Sequence, residues 1–421
     1  MFTRCCSILG YSTKTKIGSA EHRIRQRIVR QRKSRGMVAT HRNEYMNKLI
    51  LGTIATFSVV TSPLTWGLPV DLLTLPEGFS VSVYAENVEN ARQMALGDNG
   101  TVFVGSRSAG KVHAVRDTNN DGKADSVKVI ATDLNMPSGL TFKDGSLYVA
   151  EVSQVLQFDN IESELAKGKP LSKPKVAVAG LPTERHHGWK NIDFGPDGWL
   201  YVPIGTPCNV CQTVGGEKFD DPRFDSILRF NLKTQKQEWV ARGVRNSVGF
   251  DWHPVTGEFW FSDNGRDWLG DDLPPCEINR VTTQGEHFGY PYFFGKDVAD
   301  PEFGKGKKAS DYTAPAIELG AHVAPLGIHF YAGKMFPEAY QNRLLVAEHG
   351  SWNRSSKVGY RVMMATLKDN KVTSYEPFIT GWLQAEEKVW GRPVAMLAMP
   401  DGSVLLSDDF ANVVYRITYQ Q

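Results

Sequence analysis

The stretch Asp197-Gly-Trp-Leu-Tyr-Val202 joins a tight turn to an alternating apolar strand, and the chain contains six such units. The other five are Asp98-Asn-Gly-Thr-Val-Phe-Val104, Asp144-Gly-Ser-Leu-Tyr-Val149, Thr256-Gly-Glu-Phe-Trp-Phe261, Gln341-Asn-Arg-Leu-Leu-Val346 and Asp401-Gly-Ser-Val-Leu-Leu406. A turn of the Asp-Gly or Asn-Gly type between alternating apolar runs predicts a β-hairpin. Repetition at intervals of tens of residues is typical of repeat architectures.

An inner strand precedes each turn, and a further apolar strand follows each unit at 111–115, 154–158, 226–230, 277–281, 360–367 and 413–419. Six such meanders without intervening helices predict an all-β fold, a six-bladed β-propeller of four-stranded antiparallel blades. The last unit lacks a fourth strand, whereas residues 79–86 form a spare alternating strand before the first unit. We therefore expect this N-terminal strand to close the ring by pairing with the last blade, which removes an exposed sheet edge.

The chain has 421 residues, and its basic side chains are concentrated at the N-terminus. Residues 1–67 hold 12 of the 48 Lys and Arg but only two of the 46 Asp and Glu, which leaves a net charge of −8 on the remainder. A slightly acidic body argues against nucleic-acid binding or a membrane-surface role.

The N-terminal region has the features of a processing segment. Met46-Asn-Lys48 and a 12-residue apolar run at 49–60 predict a signal peptide over residues 46–67, because the run is shorter than a membrane-spanning helix. The propeller domain then covers residues 68–421 of an exported protein, periplasmic or extracellular, with no membrane span in the mature chain. Residues 1–45 form a basic leader that is either disordered or upstream of the true start at Met46. The alternative for 49–60 is an uncleaved membrane anchor.

The cysteines outside the leader are Cys208, Cys211 and Cys276. An exported protein can form disulfides, and two kinds of pairing stay open. Cys208 can bridge to Cys211, or either can bridge to Cys276. No His follows the Cys-x-x-Cys pair, which argues against c-type haem attachment, and no fourth ligand points to zinc.

The repeat also predicts which distant residues meet. Because the second strand of each blade runs antiparallel to the inner strand, residues just before inner strands and just after second strands lie at one end of the channel. Those before inner strands are Arg92, Met136-Pro137, His186-His187, Arg245-Asn246, His322 and Arg392; those after second strands include Arg107, Glu151, residues 263–266, residues 349–354 and Asp408-Asp409. Such an Arg- and His-rich mouth suits an anionic ligand beside an acid/base group.

Several ordered segments carry a family resemblance across residues 75–419. They are His187-Gly-Trp-Lys-Asn-Ile-Asp-Phe-Gly-Pro-Asp-Gly-Trp-Leu-Tyr201, Gly243-Val-Arg-Asn-Ser-Val-Gly-Phe250, Ser262-Asp-Asn-Gly-Arg-Asp-Trp-Leu-Gly-Asp-Asp272, Phe288-Gly-Tyr-Pro291, Ala347-Glu-His-Gly-Ser-Trp-Asn-Arg354 and Gly391-Arg-Pro-Val394. Together they resemble the soluble quinoprotein sugar dehydrogenases, and more closely the sorbosone-dehydrogenase-like branch. The resemblance implies a pyrroloquinoline quinone (PQQ) cofactor across the channel mouth, together with calcium.

The resemblance also implies roles for individual residues. His187 falls at the catalytic base and Arg245 at the arginine beside the quinone, while the backbone carbonyls of Gly265 and Arg266 fall at calcium ligands. The implied cofactor contacts are Asn246, Arg354 (with Lys357 as second choice for a blade-five cation), Arg392, and, from the channel mouth, His322 and Arg92. Arginine forks suit the cofactor's carboxylates, and calcium prefers oxygen ligands.

The chain departs from the family pattern at three places. His186 replaces an acidic residue before the base, Met136-Pro137-Ser138 replaces a glutamine region, and Cys276 stands where relatives more often carry an acidic residue. These departures bear on the identity of the substrate and, in part, on the strength of cofactor binding.

The predicted function is an exported quinoprotein that oxidises an aldose or a sugar aldehyde, sorbosone- or glucose-like, by hydride transfer to PQQ. Without a haem motif, the electrons pass to an external acceptor, a quinone or a cytochrome. One alternative is a calcium-dependent lactonase-type propeller, whose chemistry needs a carboxylate-rich metal centre. Another is a non-catalytic binding propeller.

A second calcium site is suggested by oxygen-bearing side chains spaced as in a calcium loop. These are Asp117, Asn119, Asp121 and Asp125 in the turn between the third and fourth strands of blade one. An ordinary Asp/Asn/Gly turn is the alternative, because the twelfth-position Glu and a following helix are missing.

Overall fold

A computed structural model describes residues 67–216 and 218–420 of the chain. The predicted basic leader over 1–45 and, apart from Gly67, the predicted signal peptide over 46–67 lie outside the described residues. Within the described ranges, no helix is long and apolar enough to cross a membrane.

The described strands form six blades, which confirms the predicted propeller. Blades one and two are β2 (Ala91–Leu96), β3 (Val102–Ser106), β4 (Val112–Arg116), β5 (Ser126–Ala131), then β6 (Gly139–Lys143), β7 (Ser146–Ala150), β8 (Val155–Phe158) and β9 (Lys175–Val178). Blades three and four are β10 (Asp193–Phe194), β11 (Leu200–Ile204), β12 (Ser226–Asn231), β13 (Lys236–Arg242), then β14 (Phe250–Trp252), β15 (Phe259–Asp263), β16 (Pro275–Arg280) and β20 (Ile317–Ala321). Blades five and six are β21 (Pro325–Phe330), β22 (Leu344–Glu348), β23 (Arg361–Lys368), β24 (Lys371–Ile379), then β25 (Pro393–Ala398), β26 (Val404–Asp408), β27 (Val413–Tyr419) and β1 (Phe79–Ala85).

The hairpin between β6 and β7 shows why the repeated turn works. Lys143 pairs with Ser146, so that Asp144 and Gly145 alone make the turn. Both have positive φ, 52° and 76°, as a type I′ turn requires. Asp and Gly tolerate this left-handed backbone better than bulkier residues do.

The second strand of each blade is buried along its length. The strands β3, β7, β11, β15, β22 and β26 consist only of buried residues. Neighbouring blades cover both of their faces: Trp260 and Ile278 of blade four pack in one cluster with Ile328 and Val346 of blade five. The core therefore lies between the blades, and the inner strands remain free to line the channel.

The inner strands contact one another around the channel. β2 contacts both β6 and β25, and β21 contacts both β14 and β25. The loops at one end of these strands are therefore brought together from all around the ring.

The ring closes as predicted, by antiparallel pairing of the N-terminal strand with the C-terminal strand. The register runs from Phe79 opposite Tyr419 to Ala85 opposite Val414, with one irregularity after Val83. The last blade thus acquires its fourth strand from the start of the domain, and its edge is paired rather than exposed.

The packing of Phe79 allows the contribution of ring closure to the stability to be measured. Its ring packs edge-on against Phe336, Tyr340, Phe378 and Tyr419 at centroid distances of 4.8–5.0 Å. We expect Phe79→Ala to lower the free energy of unfolding by about 3–5 kcal/mol in urea titrations, because it opens a cavity among these rings.

The matched control for this prediction is Phe410→Ala, whose ring is 52% exposed. We expect the control to change the free energy of unfolding by no more than about 0.5 kcal/mol. Equal losses in the two variants would contradict a special role of Phe79 in ring closure.

The structure corrects the prediction of uniform four-stranded blades without helices. Blade three gains a fifth strand, β17 (Glu286–His287), which pairs in parallel with β13. The long connection from β16 to β20 passes the outer edge of blade three and satisfies its backbone groups there. The same connection contains the short hairpin of β18 (Phe293–Phe294) and β19 (Val298–Ala299).

Helical segments also occur among the described residues. A short helix α1 (Ile161–Ala166) lies between β8 and β9, and single 3₁₀ turns occur at Val70–Leu72, Ala309–Asp311, Glu338–Tyr340 and Ala385–Glu387. The Glu162 carboxylate of α1 accepts hydrogen bonds from the N–H groups of Asn99 and Thr101. This helix of blade two thereby stabilises the turn between the first two strands of blade one.

Candidate active site at one end of the channel

A cavity of about 640 Å³ opens at the predicted end of the channel. Its lining includes residues from the loops and strands of the different blades. They are Arg92, Arg107, Met136, Arg185, His186, His187, Trp189, Arg245, Asn246, Asn264, Gly265, Asp267, Cys276, His322, Ala324, Leu326, His349, Gly350, Ser351, Trp352, Tyr360 and Arg392. The lining is rich in arginine and histidine, as the order of the repeat predicted.

His187 is a buried imidazole with a defined tautomer. Its Nδ1 lies 3.0 Å from the backbone carbonyl oxygen of Thr206. A carbonyl only accepts hydrogen bonds, so Nδ1 carries the hydrogen and Nε2 keeps its lone pair. Burial, together with the positive charge of Arg245 and the neighbouring His186, holds the pKa of His187 well below 6.5. His187 is therefore neutral at pH 7 and competent to accept a proton.

Gly205 allows the close approach that fixes His187. A Cβ atom at position 205 would lie 2.7 Å from the His187 Cβ and 2.8 Å from its carbonyl oxygen. Since real Cβ contacts do not reach such distances, only glycine lets the end of β11 pass this close to the histidine.

Arg245 is buried and held by several oxygens. Its Nε donates to the carbonyl of Asn209 at 2.9 Å, and its Nη2 donates to the Asn209 Oδ1 at 2.8 Å. Its Nη1 donates to the carbonyl of Asn264 at 3.1 Å, and Nη2 lies 3.4 Å from Asp267 Oδ2. These contacts fix the plane of the guanidinium at the cavity wall.

A buried carboxyl pair supports the backbone beneath Arg245. Asp263 accepts hydrogen bonds from the backbone N–H groups of Arg245 and Asn246, at 2.8 and 2.6 Å. Glu277 lies opposite Asp263 on the next strand. Burial raises the pKa of Asp263 to about 6, and burial together with the charge of Asp263 raises the pKa of Glu277 to about 8. At pH 7 these pKa values leave Glu277 protonated and Asp263 largely ionised, which avoids two buried like charges side by side.

On the opposite side of the mouth, one carboxylate contacts two guanidinium groups and an imidazole. Asp409 lies 3.4 Å from Arg92 Nη2, 3.1 Å from Arg392 Nη2 and 2.9 Å from His349 Nε2. Burial opposes ionisation of Asp409, but the charges of Arg92 and Arg392 and the hydrogen bond with His349 hold its pKa far below the usual range. We call Arg92, Arg107, Arg392 and Asp409 the anion cluster.

The anion cluster contains more donors than the described residues satisfy. Among those residues, Arg92 Nε, Arg92 Nη1 and Arg107 Nε are buried without a hydrogen-bond partner. The Arg107 guanidinium also stacks over Trp189, 3.7 Å from the ring centroid. Buried N–H groups are normally paired, and charged ones most of all. The cluster therefore fits a ligand that carries carboxylates or other anionic oxygens.

Residues 73–419 match the TrAA12-like family. The chain belongs to the TrAA12-like family. It is also 37% identical over 392 residues to an uncharacterized protein of Borreliella burgdorferi, covering 90% of this chain and 100% of that protein.

The fold of this TrAA12-like chain is similar to those of several solved enzymes. A calcium structure of a Trichoderma reesei enzyme of carbohydrate-active family AA12 has a TM-score of 0.71 at 17% identity, covering 83% of this chain and 97% of that one. The PQQ domain of a pyranose dehydrogenase from Coprinopsis cinerea has a TM-score of 0.68 at 17% identity, covering 82% and 97%. The PQQ-bound aldose sugar dehydrogenase of Streptomyces coelicolor has 0.57 at 19%, covering 82% and 100%. These likenesses show the propeller fold, and the sorbosone-like branch stays a prediction.

In this TrAA12-like protein, most of the predicted site residues meet at the cavity. Those that line it are Arg92, His187, Arg245, Asn246, Gly265, His322 and Arg392. Asn246 Oδ1 is buried without a hydrogen-bond partner among the described residues, whereas His322 Nε2 lies 2.8 Å from the carbonyl oxygen of Gly270. Their convergence agrees with the geometry expected from the repeat, while their individual roles stay predictions.

The side chains of Arg354 and Arg266 lie elsewhere. The Arg354 guanidinium donates to the Asp271 carbonyl and lies 3.0 Å from Asp272, outside the cavity lining. Arg266 pairs with Asp300 at 2.5 Å. The Arg354 side chain therefore does not line the cavity, and its contact with a cofactor stays a prediction. The predicted part of Arg266 in calcium binding uses its backbone carbonyl and does not depend on this ion pair.

The predicted second calcium loop is folded as a hydrogen-bonded turn. Asp117 accepts from the Gly122 N–H, Asn119 from the Asp121 N–H, and Asp125 from the Thr118 N–H and hydroxyl. In the described ranges, no group of three or more His, Cys, Asp or Glu side chains is arranged to hold a metal. Most of these oxygens thus serve the turn itself, whereas Asp117 Oδ1 is buried without a hydrogen-bond partner among the described residues. A calcium ion there stays a prediction.

The structure also decides between the open cysteine pairings. Cys208 is bonded to Cys211, with a Cα–Cα distance of 6.2 Å, and Cys276 is a buried free thiol. The sequence did not predict Asn209 between the bonded cysteines, Arg185 in the lining, or the role of Asp409 as the centre of the anion cluster. The rule for residues after second strands, applied to blade three, would have pointed to the loop that carries Asn209.

Proposed function

We propose that this protein is a quinoprotein dehydrogenase that oxidises an aldose or a sugar aldehyde, sorbosone- or glucose-like, with PQQ and calcium. Two features of one cavity support this proposal best. His187 is buried and neutral on one side, and guanidinium N–H groups without a partner among the described residues lie on the opposite wall. Membership of the TrAA12-like family and the names of the similar solved enzymes, which include calcium and PQQ, support the same proposal.

The chain offers groups that fit the proposed cofactor. The anion cluster supplies guanidinium N–H donors for the carboxylates of PQQ, and Asn246 Oδ1 supplies a further polar contact. The backbone carbonyls of Gly265 and Arg266 are the proposed oxygen ligands of calcium. When bound, PQQ supplies the two-electron acceptor that the protein itself lacks.

The protein's own part of the reaction is proton transfer and charge stabilisation. His187 Nε2 removes the proton from the hydroxyl of the aldose, or of the hydrated form of an aldehyde, and the Thr206 carbonyl keeps the hydrogen on Nδ1 throughout. Arg245 presents a fixed positive charge where negative charge develops, with no reorganisation because four contacts already hold it. The electrons then leave to an external acceptor, for which we propose a quinone or a cytochrome.

A lactonase is the less well supported alternative. It needs several carboxylates around one metal, whereas Asp267 is the carboxylate of the described cavity lining and lies beside Arg245. We further propose that the enzyme is exported to the periplasm or beyond, on the basis of the apolar run at 49–60.

Reconstitution of the cofactor-free protein tests the proposal. We expect PQQ with Ca²⁺ to give a shifted quinone absorbance and dye reduction with at least one of a panel of aldoses and sugar aldehydes. Omission of either component should abolish dye reduction. Hydrolysis of a lactone panel without dye reduction would favour the lactonase, whereas neither absorbance shift nor turnover would leave a binding propeller and overturn the dehydrogenase.

A further inference from the structure

The two side chains assigned to the reaction are held by the same short segment, residues 206–211. His187 Nδ1 donates to the Thr206 carbonyl at 3.0 Å. Arg245 donates to both the carbonyl and the Oδ1 of Asn209, at 2.9 and 2.8 Å. In return, the Thr206 N–H donates to the Arg245 carbonyl at 2.8 Å. One loop therefore sets the relative position of the base and the guanidinium.

Asn209 uses both ends of its side chain. Its Oδ1 accepts from Arg245 Nη2 and from the Asp267 N–H at 2.9 Å, while its Nδ2 donates to the Asp267 carbonyl at 3.1 Å. Asp267 in turn lies 3.4 Å from Arg245. An amide suits this position, because a carboxylate lacks the donor for the Asp267 carbonyl and a hydroxyl has a single atom where the amide uses two.

The disulfide holds this loop closed around Asn209. Cys208 and Cys211 flank Asn209 in the sequence and are bonded to each other. The buried side chain of Tyr290 contacts both ends of the segment, at Thr206 and at Cys211. The Tyr290 hydroxyl lies 2.9 Å from Thr206 Oγ1 and accepts from the Cys211 N–H at 3.1 Å. A four-residue ring with two anchors has few alternative conformations, so the Asn209 oxygens stay directed at Arg245.

We propose that Asn209, presented by the disulfide-closed loop Cys208–Cys211, is the positioning residue that fixes Arg245 beside His187. The inference rests on the proposed function for its catalytic meaning, but its geometry can be tested without cofactor or substrate. Without the hydrogen bonds from Arg245 to Asn209, the guanidinium is free to move. A misplacement of about 1 Å can lower the rate by as much as 100-fold.

The first experiment titrates the His187 imidazole by NMR in the cofactor-free protein, with the resonance assigned from His187→Gln. The charged or titratable groups that face His187 are Arg245, His186 and Arg107, and each lowers its pKa. Withdrawal of the Arg245 charge therefore raises the pKa. We expect a raised His187 pKa in Asn209→Ala and no change in the control Asn231→Ala, which removes only a cap of the turn after β12.

A double variant separates positioning from general loosening. In an Arg245→Gln background, Asn209→Ala should leave the His187 pKa where Arg245→Gln alone has put it. A further shift there, or an unchanged pKa in Asn209→Ala alone, overturns the proposal. If Asn209→Ala does not fold, Cys208→Ser/Cys211→Ser makes the same test, because the opened ring also releases Asn209. In that variant too, an unchanged pKa overturns it.

The second experiment measures turnover after reconstitution. We expect Asn209→Ala to lower kcat by roughly 10- to 100-fold, with a smaller change in KM. Asn209→Asp should lose part of this activity because its carboxylate cannot donate to the Asp267 carbonyl. Wild-type turnover in Asn209→Ala contradicts the proposal. Failure of every variant and of the wild type to oxidise sugar contradicts only the proposed function, since the NMR titration decides the geometry.

Discussion

His187→Gln should lose most sugar oxidation while it still binds PQQ. Glutamine fills a similar space and can donate to the Thr206 carbonyl, but it has no lone pair of suitable basicity. We expect kcat to fall by roughly 10²- to 10⁴-fold, the usual contribution of a general base. Steady-state dye reduction gives kcat, and absorbance titration of the cofactor gives the Kd.

The control for this variant is His329→Gln, which removes a histidine paired with Asp251 outside the cavity lining. Its kcat should match that of the wild type. Retained turnover in His187→Gln would refute the assignment of the base. A parallel loss of cofactor binding would place His187 in the binding site rather than in proton transfer.

The same residue predicts the pH dependence of the rate. Protonation of His187 removes the base, and its pKa lies well below 6.5 because of burial and the Arg245 charge. The rate should therefore stay level from pH 8 down through 6.5 and fall only at more acidic pH. In Arg245→Gln, loss of the positive charge should move this acidic limb to higher pH.

Arg92→Lys should weaken cofactor binding with little effect on folding. Lysine keeps the charge beside Asp409 but cannot present the Nε and Nη1 donors that Arg92 leaves unpaired in the described structure. Hydrogen bonds to charged groups contribute about 1.5–3 kcal/mol each. Loss of one or two of them should raise the Kd for PQQ by roughly 10- to 10⁴-fold in absorbance or calorimetric titrations.

The matched substitution is Arg343→Lys, at an arginine that pairs with Glu376 on the outer part of blade five. It should leave the Kd for PQQ unchanged. Thermal melting of both variants checks folding. An unaltered Kd in a folded Arg92→Lys protein would remove Arg92 from the cofactor site.

The sequence was most informative where structure is local. Asp144-Gly145 adopts the positive φ values that its residue types favour, so the hairpin could be predicted from two positions. The antiparallel order of the strands then determined which ends meet, and from this the convergence of Arg92, His187, Arg245 and Arg392 followed. Chain direction alone was sufficient for that step.

The sequence was least informative where contacts depend on distant partners. The two-residue strand β17 has no periodic pattern of its own, and its pairing with β13 depends on the path of a long connection. The backbone of Arg354 lies in the loop that follows a predicted strand. Its long side chain, however, turns to Asp271 and Asp272, which a neighbouring loop brings close. Spacing likewise left the pairing of Cys208 open, because only the folded loop excludes Cys276.

Ring closure gives the anion cluster a consequence for the whole fold. Arg92 belongs to the first blade and Asp409 follows the second strand of the sixth, so their ion pair crosses the seam where the two ends of the propeller meet. A ligand that binds this cluster contacts both blades and therefore stabilises the interface between them. By mass action, such a ligand would shift the equilibrium away from any form with an opened ring, so binding of the proposed cofactor at this cluster should raise the global stability.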